Sequence, residues 1–192
     1  MRRASAIAGA ALLPIGWAAA AAGGMTGHMA GHMIAVAVAA PLVAWGIGGS
    51  RYDPARAFPR VVTPMAMMVV ELAVVWGWHL PALRALADTS LAALVVEQAM
   101  FVAAGLCLWA AVLGVGAERR AGGVGALLLT SMHMTLLGAL IGLAPRPLYA
   151  HSHGMADQQL GGVVMLMVGA ASYFAGGLAM LATLLRQKEA HA

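Results

Sequence analysis

The sequence predicts an all-α membrane protein, a polytopic transmembrane helical bundle of five core spans plus an N-terminal signal or anchor helix. Three observations predict it. Of the 192 residues, 62% are hydrophobic and only 9% charged, whereas a soluble domain needs about 25% charged residues to cover its surface; the mean hydropathy is +0.85. The apolar residues fall into runs of about 20, the length that a bilayer core asks of one helix. These runs are rich in Ala, Leu, Val and Met and show no two-residue alternation, which argues for helices and against a barrel.

In chain order, the first apolar run is residues 4–23. Arg2 and Arg3 precede it and Ala20-Ala21-Ala22 closes it, which suits a cleaved signal peptide and equally an anchoring helix. The core spans follow at residues 29–48, 62–79, 91–114, 122–144 and 160–185. The organisation read from this is a signal or anchor over 1–24, one bundle domain over 25–186 and a tail over 187–192. Gly138, Gly161-Gly162 and Gly176-Gly177 would let helices approach closely. Cys107 lies inside an apolar run as a lone cysteine, so neither a disulfide framework nor a CxxC metal site is available.

Loop charges set the orientation. With Arg2 and Arg3 in the cytoplasm, the same side receives Arg51, Arg56, Arg60, Arg119, Arg120, Arg186 and Lys188, and the opposite side only Arg84 and Arg146. Every loop agrees with one positive-inside topology. The net charge of +4 is therefore a topology signal and no nucleic-acid partner is expected, since the basic residues form no aromatic-interleaved patch.

This topology gathers the polar chemistry at the outer face. Of seven histidines only His191 falls on the cytoplasmic side. The sharpest pattern is Met25, His28, Met29, His32 and Met33. On a helix His28 and His32 share one face, as do Met29 and Met33. Imidazole nitrogen and thioether sulfur are neutral ligands that suit Cu(I), and a site at the membrane edge should not gather uncompensated charge. His79 ends the second core span at the same depth, between Trp78 and Pro81. Glu71 and Glu97 lie within spans, where a carboxylate is costly. Glu97 stands about two turns below the outer end of its helix, close enough to orient a histidine. In Met132-His133-Met134 consecutive residues cannot share a face, so His133 reads as a structural histidine or, failing that, a lone ligand or relay. His151, His153, Met155 and Asp157 form an accessory cluster in the last outer loop.

The stretches GHMAGHMIAVAVAAPLVAWG, VVWGWHLPAL, VVEQAMFVAAGLCLW, LLLTSMHMTLLGALIGLAPRPLYA and DQQLGGVVM occur in the order found in CtaG-type cytochrome c oxidase assembly proteins, and the chain resembles that family from about Met25 to Leu185. The resemblance implies a multi-pass protein of the bacterial inner membrane, needed for oxidase maturation and concerned with copper delivery. Its partners would be cytochrome c oxidase subunits beside the lipid bilayer, with a homo-oligomer left open. His28, His32 and His79 match the family's outer-face histidines, and Asp157-Gln158-Gln159 its DQQ. Two positions depart from the pattern: Gln98 stands where the family usually has a histidine, and Leu166 where tryptophan is common.

Copper handling at the periplasmic face is therefore the expected function, with His28, His32, His79, Met29, Met33, Glu97, His133, His151 and His153 as candidate metal-site residues and Cu(I) as the cargo. A b-type haem protein using His32 and His133 and a metal-free chaperone of oxidase subunits are the alternatives. An enzyme is not expected, since the sequence has no nucleophile–base constellation and no phosphate loop.

Overall fold

The computed structural model describes residues 1–114, 116, 120–149 and 154–189, and among them every regular element is helical. Helix α1 is Arg2–Ala21. Helix α2 runs through Gly24–Met33, a wide π segment Ile34–Ala39, and Ala40–Ile47. A single turn, α3 (Pro54–Ala57), precedes α4 (Pro64–Trp78) and α5 (Pro81–Thr89). Then come α6 (Leu91–Leu113), α7 (Arg120–Gly142) and α8, the last built from Met155–Val164, a π segment Met165–Gly169, and Ala170–Glu189.

Five of these helices, α1, α2, α6, α7 and α8, are long and apolar enough to cross a membrane; α4 and α5 qualify only as a pair, bent by 70°. The span read from the sequence at 62–79 is α4, which ends just before Pro81, and α5 continues it at an angle. Prolines at the first positions of α4 and α5 explain the break, because proline fits a helix start and stops the helix before it. The 15 residues of α4 reach about 22 Å, short of the roughly 30 Å bilayer core. Two other starts are earlier than the spacing suggested. The His–Met repeat is already inside α2, and Asp157-Gln158 lies in the first turns of α8.

Apolar side chains such as Val69, Leu72, Val95, Met132, Leu136, Leu160 and Phe174 point outward, while His28, His32, Glu71, His79, Arg84, Glu97, His133 and Gln158 are buried. This inversion of a soluble protein's pattern is what a lipid-facing bundle requires. One end carries Arg2, Arg51 and Arg56, and there Arg2 donates to Gly48 O at 2.9 Å and Arg56 to Gly49 O. The other end holds the histidines.

Small residues set the contact of α1 on α2. A Cβ on Gly31 would stand 2.5 Å from Gly16 O, and one on Gly46 2.5 Å from Ala6 Cβ. Deeper in α2, the π segment follows from Pro41. Ala40 N–H reaches back to Ala35 O and Pro41 has no N–H to offer, so Val36 O lacks a donor from its own helix. Trp109 Nε1 at 3.0 Å and Tyr173 OH at 3.2 Å donate to it, and Ser172 Oγ donates to the next carbonyl, Ala37 O, at 2.7 Å. The Tyr173 hydroxyl also meets the buried carboxyl of Glu71. A single proline thereby ties α2 to α4, α6 and α8.

Candidate metal centre

His28 and His32 lie one turn apart on α2, and His79 is the residue that closes α4. Their rings converge, with centroids 5.0 Å apart for His28–His79, 5.3 Å for His32–His79 and 6.2 Å for His28–His32. One nitrogen from each lies within 4.8 Å of the others. His79 Nδ1 is 2.6 Å from Val75 O. A carbonyl only accepts, so this nitrogen carries the proton and Nε2 presents a lone pair. That Nε2 is 3.2 Å from His28 Nε2.

His32 differs from its neighbours. It is 0% exposed, stacked on Phe101 with centroids 4.1 Å apart and planes 17° apart, and neither ring nitrogen has a hydrogen-bond partner among the described residues. Buried polar atoms are almost always paired, and each exception calls for an explanation. Three neutral imidazoles so arranged can hold a soft or borderline cation.

Behind the rings sits an ion cluster. Glu97, read from the sequence as a residue that could orient a histidine, has Oε2 3.6 Å from His28 Nδ1. Arg84 Nη1 lies 2.6 Å from the same Nδ1 and donates to both Glu97 oxygens, at 2.6 and 2.8 Å, while Nη2 donates to Asp88 at 2.8 Å. Sequence reasoning missed Arg84, which it counted as an outer-loop charge. Two signals could have found it: it departs from the charge bias, and Asp88 follows it at i+4 on an amphipathic segment. Gln98, at the family's histidine position, gives its amide to Glu97 Oε2 at 3.4 Å and does not join the trio.

The DQQ segment does structural work. Asp157 accepts from Met25 N at 2.6 Å and Thr26 N at 3.1 Å, so a carboxylate from α8 caps the first turn of α2, satisfies two of its unpaired N–H groups and complements its dipole. This corrects the reading of Asp157 as part of an accessory loop cluster. Gln158 accepts from Leu148 N at 2.6 Å and donates to Ile141 O at 3.1 Å, holding the α7–α8 connection down. From that connection Tyr149 OH donates to His79 O at 2.9 Å. Burial pushes the Tyr149 hydroxyl up to about 12, so it remains a donor at neutral pH.

The other candidates fall elsewhere. Met33 turns its sulfur toward Gly169, and Met25 packs on Gly161. Met29, one turn from each and three residues before His32, is fully buried. His133 is buried with neither nitrogen partnered, within electrostatic range of His32 but outside the converging group. Met132 is exposed and Met134 buried, as consecutive positions on one helix demand. His151 and His153 lie outside the described residues.

The model of the cytochrome c oxidase caa3 assembly factor family matches residues 4–187, nearly the whole chain, which therefore belongs to that family. No curated protein and no solved structure matches it.

Proposed function

We propose, from membership of the caa3 assembly factor family and from the histidine trio, that the chain carries copper as Cu(I) on His28, His32 and His79 and passes it to an oxidase subunit during assembly. The supporting observation is His32, a fully buried imidazole with both nitrogens unpartnered among the described residues, beside two others that can present lone pairs. Neutral nitrogen ligands suit a soft monovalent ion and add no charge to a membrane interior. The site lies at the end opposite Arg2, Arg51 and Arg56, so by the positive-inside rule it faces the periplasm of a bacterial inner membrane. Retention of α1 in the mature protein belongs to the same proposal, because glycines of α1 and α2 receive one another's backbones. The role is that of a carrier, with ligand exchange as its chemistry.

The test is metal analysis of protein purified under reducing conditions. About one Cu(I) per protomer is expected, from the one converging group, with the copper lost in His28→Ala/His32→Ala and oxidase assembly lost with it. Unchanged copper content in that variant would defeat the assignment. Intact oxidase assembly in it would favour a metal-free chaperone, and a Soret band in the purified protein a haem carrier.

A further inference from the structure

We propose that Arg84 is a positioning residue whose hydrogen bond to His28 must break when the histidine site fills, so that α5 is latched over the empty site and unlatched over the loaded one. The proposal rests on the metal reading above and concerns which groups can share one imidazole.

A neutral imidazole offers one N–H and one lone pair, and a guanidinium can only donate. With Arg84 Nη1 2.6 Å from His28 Nδ1, the lone pair of His28 belongs to Arg84. The His28 proton is then on Nε2 and is donated to His79 Nε2 at 3.2 Å, which can accept because the His79 proton is on Nδ1, directed at Val75 O. This chain of donors and acceptors is complete without an ion and incompatible with one. If a cation takes His28 Nε2, the proton must be on Nδ1, where it opposes the Arg84 donor. If the cation takes Nδ1, Arg84 stands in the ligand's place. In the first case Glu97 Oε2, 3.6 Å from Nδ1, is the acceptor at hand, and a carboxylate that receives the distal N–H of a metal-bound histidine is a frequent supporting arrangement. Arg84 keeps Glu97 Oε1 and Asp88 but gives up His28.

The three histidines are at most 4% exposed, so an ion enters or leaves only when something moves. Helix α5 is a short element packed on α4 and α6 between extended residues Leu80 and Ser90, and its buried Arg84 reaches His28 of α2. Loading therefore weakens the tie of α5, and by thermodynamic reciprocity weakening the tie favours loading.

Cu(I) affinity, measured by competition with bicinchoninate, separates this from a merely structural ion pair. Arg84→Gln should bind Cu(I) about tenfold more tightly, the equivalent of one lost charged hydrogen bond. Glu97→Gln should bind about tenfold to a hundredfold more weakly, as loss of a supporting acceptor does. Equal weakening in both variants would overturn the proposal. Because an unpaired buried charge can prevent folding, amide hydrogen exchange over residues 81–89 in the unaltered protein gives a second reading. Exchange there should quicken when Cu(I) is added and stay unchanged in His28→Ala/His32→Ala. Unchanged or slower exchange in protein that has bound Cu(I) overturns the latch alone; failure of the unaltered protein to bind Cu(I) overturns the metal reading and the latch together.

Discussion

Two buried polar clusters occupy this bundle, and they differ in what they leave open. Around Val36 O, the side chains of Trp109 and Tyr173 supply donors that Pro41 withholds, and Tyr173 extends the contact to Glu71. The polar groups there answer a defect in a helix. Nearer the histidine end, Asp157 caps α2, Tyr149 fixes the His79 carbonyl, and Arg84 joins His28, Glu97 and Asp88. At the centre of all that support His32 has no partner at either nitrogen. The first cluster also leaves one atom open, Glu71 Oε2, but only the second sets its open nitrogens beside two further imidazoles in one converging group.

That contrast can be broken by replacing one member of each cluster. The larger effect is expected from His32→Leu. Copper should be lost while the thermal midpoint of the purified protein holds or rises, because an unpaired buried imidazole costs about 1–3 kcal/mol. A sharp fall in the midpoint would place His32 with the folding residues. The smaller effect is expected from Tyr173→Phe. Here copper content should stay whole and stability fall by about 1–3 kcal/mol, since Val36 O keeps Trp109 but the buried Glu71 carboxyl loses the hydroxyl. Loss of copper in Tyr173→Phe would show that the two clusters are not separable.

Much of the bundle was legible in the sequence because lipid imposes a coarse rule: a helix must be about 20 residues long and apolar, and its flanking charges must sort by side. What that rule did not show is the bent α5 after the 62–79 span, where local proline chemistry at Pro64 and Pro81 sets the helix starts. His28 and His32 were legible as a pair through their i, i+4 spacing, and His79 through its depth. The methionines share part of that face, Met29 standing at i−3 from His32, while Met25 and Met33 also pack on glycines of α8. Asp157 and Arg84 were misread for a different reason. Each acts across a long stretch of chain, on Met25 and on His28 respectively, and no local pattern encodes a partner at that distance. Gln98 likewise keeps the family's position but supports Glu97 without reaching the trio.

X-ray absorption at the copper edge of the Cu(I)-loaded protein tests the central claim most directly. The account requires a first shell dominated by nitrogen with the multiple scattering of imidazole rings. A first shell dominated by sulfur, or a spectrum without imidazole scattering, would contradict it.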